Sequence, residues 1–84
     1  MVEFSKFHGD SKKFNYSKLL GAVKEHFGKQ CRFAAAMGLS ERSVSLKLNN
    51  IRCWTQHEMY RFCDLLHLPY TEIPNYFFVF DTQN

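Results

Sequence analysis

Two short apolar segments joined at a glycine, within residues 30–50, constrain the fold of this chain more than any other feature. The first segment, Gln30 to Met37, has three alanines at its centre, and Gly38 follows it. Because glycine adopts a left-handed backbone at little cost, Gly38 can end this helix and turn the chain. Ser40 then stands where its side chain accepts hydrogen bonds from the first turn of a second helix. The pattern predicts two helices that meet at a tight corner, with Leu39 packed into it.

The second helix has two different faces. Val44 and Leu48 lie four residues apart and predict its buried stripe. At about 100° per residue, the opposite face carries one cation, two small hydrogen-bonding side chains and one apolar side chain: Arg42, Ser45, Asn49 and Leu46. That mixture suits the DNA major groove, where base edges offer donors, acceptors and the thymine methyl group. An ordinary helical hairpin with a solvated outer face has the same spacing, so spacing alone leaves both interpretations open.

Five residues occupy the first, fifth, ninth, tenth and fifteenth places of a twenty-residue helix-turn-helix pattern: Gln30, Ala34, Gly38, Leu39 and Val44. With this spacing, the stretch resembles the lambda-repressor and Cro class of phage regulators. The later segments SLKLNN, WTQHE and IPNYFF resemble small phage repressor-type proteins, so the resemblance extends from Asn15 to about Phe78. The chain departs from the pattern at the eighteenth place, which is often apolar and is Lys47 here, although a lysine stem can cover core surface.

The resemblance implies an all-α, compact domain of four to five helices and a function in transcription. We expect a sequence-specific regulator from a phage or prophage that binds a double-stranded DNA operator as a homodimer. The helix at 41–49 would lie in the major groove, and two such helices would be about 34 Å apart. The alternative is a protein-binding antirepressor or antitoxin-like module, in which the same fold sequesters another regulator.

The resemblance also assigns roles to individual residues. Gln30 and Asn49 match positions that fix the register on the DNA backbone, and Glu41 and Arg42 match positions that enter the groove. Arg42 suits guanine, Glu41 suits cytosine, Ser45 is adaptable and Leu46 suits a thymine methyl group. The complete predicted DNA-binding set is Gln30, Arg32, Ser40, Glu41, Arg42, Ser45, Leu46, Lys47, Asn49 and Arg52.

The charge of the chain is unevenly distributed. The net charge is +3, made up of +2 in residues 1–28, +4 in residues 29–53 and −3 in residues 54–84. A basic patch on one element indicates phosphate binding, whereas scattered charge indicates only solubility. We therefore expect phosphate contacts from four cations near the corner: Lys29, Arg32, Lys47 and Arg52.

The N-terminal part of the chain divides into an arm and a helix. Residues 1–14 are predicted as an arm, either a frayed terminus or a contact to the DNA backbone, and residues 15–84 as the domain. Asn15 can cap the first helix, and Gly28 can end it. An apolar stripe at helical spacing marks its buried face: Tyr16, Leu19, Leu20, Val23 and Phe27.

The sequence after residue 50 predicts further helices and a core residue that pack against the corner. Trp54 is expected to be a core anchor, and Thr55 with Glu58 forms a capping box. The stripe of the fourth helix is Met59, Phe62, Cys63 and Leu66. Residues 71–76 suggest a fifth helix interrupted or redirected by Pro74. Residues 77–80 suggest an edge strand or extended tail, which either contacts a second copy or folds back on its own core.

The composition argues against several other functions. Three cysteines without a C-x-x-C pair favour a reducing cytoplasm, and no apolar run approaches the roughly 20 residues of a membrane span. The four histidines are not at metal-ligand spacing, and no catalytic motif is present. We expect a cytoplasmic protein that is not an enzyme and uses no cofactor or metal.

Overall fold

The computed structural model describes residues 13–81, which form five α-helices with no named strand among them. These are α1 (Ser17–Phe27), α2 (Gln30–Met37), α3 (Glu41–Leu48), α4 (Gln56–Leu66) and α5 (Ile73–Phe77), with a 3-10 turn at Tyr70–Glu72 before α5. The predicted all-α domain of four to five helices is confirmed. In this part of the chain, no helix has the length and apolar character needed to cross a membrane.

The α2–α3 corner forms as the sequence predicts. Gly38 ends α2 with φ of +74°, and its N–H donates to the carbonyl groups of Ala34 and Ala35. The side chain of Ser40 caps α3 by accepting a hydrogen bond from the Ser43 N–H at 3.0 Å. Because the left-handed glycine and the serine cap are adjacent, the chain turns within three residues and α3 begins directly after the turn.

Aromatic side chains fill the core behind this corner. Phe33 of α2 is fully buried, and its ring lies 5.2 Å from that of Phe27 and 6.2 Å from those of Trp54 and Phe62. The predicted role of Trp54 as a core anchor is confirmed, and its ring also packs 5.6 Å from Phe77 of α5. Rings from three other segments, which are α1, the α3–α4 connection and α4, therefore pack around Phe33 and hold α2 in place.

Helix α1 differs from its predicted pattern at two positions. Leu20 is 46% exposed, and the small side chain of Ala22 is buried instead, because the buried face is centred on Leu19 and Val23. Asn15 lies one residue before the cap position, which Tyr16 occupies, and its Oδ1 accepts a hydrogen bond from the Ser17 N–H at 2.9 Å.

Lys47 is buried, with only 5% of its surface exposed. Its ammonium donates to the Glu58 carboxylate at 2.8 Å and to the Cys53 carbonyl at 2.9 Å, and it lies 5.7 Å from the centre of the Trp54 ring. This placement corrects the prediction that Lys47 contacts DNA phosphate, since the charge is already paired inside the protein. The reason is tertiary: α4 brings a carboxylate to the back of α3.

The carboxylate of Glu58 has two functions. It accepts the Thr55 N–H at 2.8 Å while Thr55 Oγ1 accepts the Glu58 N–H at 3.2 Å, which confirms the predicted capping box. Burial alone would raise the pKa of Glu58, but hydrogen bonds from Lys47 and Thr55 and the charge of Lys47 lower it overall. The stability that follows is present at neutral pH and is lost as the pH falls through the lowered pKa.

Pro74 was predicted to interrupt or redirect the last helix, but the helix begins there instead. Pro74 lies in the first turn of α5, a position where its missing N–H removes no helical hydrogen bond. The tail was predicted from residue 77, but Phe77 is the buried last residue of α5. The residues after it form an extended tail joined to Phe14 by an antiparallel bridge at Phe80. The backbone N–H of Asn15 donates to the Val79 carbonyl at 2.6 Å. The tail thus contacts its own chain, while the dimer contact remains a prediction.

The predicted arm, residues 1–14, falls almost entirely outside the described residues. Only Lys13 and Phe14 are described, and Phe14 is held on both backbone groups by Asn50. Asn50 Oδ1 accepts the Phe14 N–H at 2.9 Å, and Asn50 Nδ2 donates to the Phe14 carbonyl at 3.1 Å. With φ of +64°, Asn50 redirects the chain after α3 and attaches that end of the helix to the N-terminal segment.

Replacing Asn50 separates these two effects. Asn50→Gly keeps the left-handed backbone and loses both hydrogen bonds, so we expect a loss of about 2 kcal/mol in the free energy of unfolding. Asn50→Ala should lose roughly 1 kcal/mol more, because alanine is strained at positive φ. Urea denaturation measures both values, and a glycine variant as stable as the wild type would contradict the role of the amide.

The Lys47–Glu58 pair gives a second stability prediction. Glu58→Gln leaves the Lys47 ammonium buried without a counter-charge, so we expect a loss of about 3 kcal/mol at pH 7. Lys47→Met keeps an apolar stem and should cost much less. The wild type should also lose stability as the pH falls below about 4.3, and Glu58→Gln should flatten that dependence. Urea titrations at several pH values test all three, and equal losses in both variants would contradict the account.

Candidate functional site on the α2–α3 corner

An open cleft on the molecular surface brings both helices of the corner together. Its lining consists of Gln30 from the start of α2 and four residues of α3: Glu41, Arg42, Ser45 and Leu46. All five belong to the set that the sequence predicts to bind DNA. Their juxtaposition depends on the corner, because Gln30 is eleven or more residues away from the others along the chain.

The side chains of the α3 outer face (Arg42, Ser45, Leu46 and Asn49) differ in solvent exposure and in hydrogen bonding. Arg42 and Asn49 are exposed, and Ser45 and Leu46 are half-buried. Asn49 Nδ2 donates to the Ser45 carbonyl at 2.8 Å, so the amide is oriented by its own helix and keeps its oxygen for another partner. This face offers cationic, polar and apolar contacts within two helical turns.

Ser40 is occupied by the cap of α3. Its Oγ accepts from the Ser43 N–H and donates to Ser43 Oγ, both at 3.0 Å. The structure explains Ser40 by helix capping, and its DNA contact stays a prediction.

Cations on and around the corner remain exposed apart from Lys47. Four side chains are exposed: Lys29, Arg32, Arg42 and Arg52. The exposed carboxylate of Glu41 lies among them at the start of α3, where the helix dipole favours a negative charge. The corner is therefore a basic surface of moderate charge density, and Arg42 is the exposed cation that α3 itself contributes.

Ile51 follows α3 in the turn after the helix, and the helical pattern of the corner does not include it. It is 71% exposed, and its N–H donates to the Leu46 carbonyl at 2.9 Å. The turn after α3 thus adds an apolar side chain beside the helix end. The only sign of this in the sequence is that a β-branched apolar residue stands between the polar residues Asn50 and Arg52.

Within residues 13–81, no three side chains of His, Cys, Asp or Glu are grouped to hold a metal ion. The groups at the corner are hydrogen-bonding, cationic or apolar, which are the groups that recognise a macromolecular surface.

Comparison with known proteins identifies the family of this chain. The model of a family described as a protein of unknown function (DUF739) matches residues 12–80. No curated protein matches the chain. Among solved structures, the chain is similar to the solution structure of the modulator of repression (MOR) of the temperate bacteriophage TP901-1 from Lactococcus lactis. The two are 49% identical, the match covers 77% of this chain and 88% of that chain, and the TM-score is 0.68. This chain belongs to the DUF739 family of proteins of unknown function.

Proposed function

We propose that this chain is a phage regulatory protein that modulates repression by binding another regulator. The observation that carries the proposal is the 49% identity with a phage modulator of repression over most of both chains. Of the two functions that the sequence suggested, this favours the protein-binding module over a repressor that acts alone.

The burial of Lys47 supports the same choice. Phosphate contacts supply a large share of DNA affinity, and each cation withdrawn from the interface weakens it. With Lys47 paired to Glu58, α3 presents a single exposed cation, Arg42, beside the carboxylate of Glu41. A single domain with this face is better suited to act in a complex than to hold an operator by itself.

DNA contact within such a complex is a second candidate function. It is favoured by the four exposed cations around the corner, against which residues 29–53 set one exposed carboxylate, Glu41. In this proposal, Arg42 and Leu46 contact base edges, Gln30 and Asn49 fix the register, and Arg32 and Arg52 contact phosphate. Homodimerisation on a pseudo-palindromic operator would place two copies of α3 one helical turn of DNA apart.

Mixing the chain with the repressor encoded in the same prophage tests the proposed function. We expect isothermal titration to show a saturable complex, and a gel-shift assay to show that the chain changes the amount or mobility of repressor–operator complex. The chain alone should bind operator weakly, with an affinity that falls steeply as salt rises. No complex with the repressor and no effect on its operator binding would contradict the proposal.

Replacing Arg42 tests the second candidate function separately. Arg42→Ala should weaken operator binding of the repressor–modulator complex by about 1–3 kcal/mol, with relaxed preference at one base pair. Lys24→Ala, which removes an exposed cation of α1, is the matched control and should have a smaller effect. Equal effects of the two variants in a binding-site selection would indicate nonspecific charge rather than base readout.

A further inference from the structure

A pair of tyrosines forms a second, separate surface on α4 and the 3-10 turn. Tyr60 is 37% exposed and Tyr70 is 52% exposed, and their ring centres lie 4.7 Å apart. The two residues are ten positions apart in sequence and meet because the chain folds back after α4. Exposed tyrosines are enriched where proteins bind other proteins, because they combine a large apolar ring with a polar end.

Hydrogen bonds hold both rings in place. The Tyr70 hydroxyl donates to Asp64 Oδ1 at 2.8 Å, and Gln56 Nε2 donates to the Tyr60 hydroxyl at 3.3 Å. The hydrogen bond to Asp64 raises the pKa of Tyr70. These hydrogen bonds restrict the rotamers of both tyrosines in the free protein, which lowers the entropic cost of binding a partner.

The chemistry of this cluster suits a cationic side chain. A tyrosine ring face attracts an ammonium or guanidinium group, and an adjacent carboxylate adds an ion pair. Asp64 has acceptor capacity beyond its bond to Tyr70, and among residues 13–81 the structure records no ion pair for it. The nearest cation on the same helix, Arg61, directs its Nε to the Ala36 carbonyl at 3.2 Å.

The same combination of groups already binds a cation elsewhere in this molecule. Lys18 Nζ lies 4.8 Å from the centre of the Tyr76 ring and 3.8 Å from the Glu72 carboxylate. There the lysine belongs to α1 and is part of the fold. At Tyr60, Tyr70 and Asp64 the rings and the carboxylate are present, and no lysine of residues 13–81 is recorded against them.

Charge complementarity indicates which partner would supply the cation. A regulator that binds DNA carries arginines and lysines on its DNA-facing surface. The exposed cations around the α2–α3 corner would repel that surface, whereas the α4 surface presents the exposed carboxylate of Asp64. Resting on the function proposed above, we propose that Tyr60, Tyr70 and Asp64 form the docking site for an arginine or lysine side chain of the repressor that this protein modulates.

Four variants test the docking site by isothermal titration against the repressor of the same prophage. Asp64→Asn and Tyr60→Ala should each weaken binding about tenfold, the range expected for a desolvated cation–π contact with an ion pair. Tyr70→Phe keeps the ring and loses the hydroxyl, so its loss should be smaller than that of Tyr70→Ala. Asp64→Asn should also reduce the salt dependence of the dissociation constant, an effect that a purely structural role would not produce.

Glu25→Gln is the matched control, because it removes one exposed carboxylate of α1 and leaves the α4 surface intact. Urea denaturation establishes that each variant is folded, and only folded variants are compared. If the wild type binds and the four docking-site variants bind equally well, the docking site is wrong and the proposed function stands. If Glu25→Gln weakens binding as much as Asp64→Asn, the effect is one of net charge and the docking site is also wrong. If the wild type does not bind the repressor, both proposals are overturned.

Discussion

The ion pair between Lys47 and Glu58 is the interaction on which the arrangement of this molecule depends. It joins α3 to the start of α4, and the same carboxylate completes the cap of α4 through Thr55. Lys47 stands at the eighteenth place of the helix-turn-helix pattern that the sequence resembles, where an apolar residue is common. Its stem fills that place, and its charge is paired with Glu58 and hydrogen-bonded to the Cys53 carbonyl. A lysine that would otherwise add to the basic face of α3 therefore stabilises the interior.

How far the sequence predicts the fold depends on the range of the interaction. The α2–α3 corner and the capping box were predictable because Gly38, Ser40, Thr55 and Glu58 act within one helical turn. The burial of Lys47 was not, since its carboxylate is eleven residues away and reaches it only after α4 has packed.

Surface residues are likewise predictable from the sequence only where they lie close together along the chain. Around the cleft, helical spacing predicts Arg42, Ser45 and Leu46, and the resemblance to a helix-turn-helix pattern adds Gln30 and Glu41. The tyrosine pair was not predicted, because Tyr60 and Tyr70 are ten residues apart, on different elements, and neither stands in a motif. Ile51 and Leu20 show the remaining difficulty, since one apolar side chain gives no signal of whether it lies inside or outside.

Together, these features describe a small protein with two surfaces of opposite character. The corner is basic and polar, in keeping with the proposed contact to DNA, and the α4 surface carries tyrosines beside a carboxylate, in keeping with the proposed contact to a basic protein. The aromatic core between them fixes both, because Phe33 and Phe62 pack against each other from α2 and α4. In the function proposed here, a modulator of repression has one surface for its regulator and one for the operator.

The most direct test of this account is to follow the backbone amide NMR signals of the isotope-labelled chain while unlabelled repressor is added without DNA. We expect saturable shifts that cluster on α4 and the 3-10 turn, around Tyr60, Asp64 and Tyr70, with little change at the cleft residues of α3. An unchanged spectrum would contradict binding to the repressor. Shifts confined to Arg42, Ser45 and Leu46 would show that the repressor binds the corner instead.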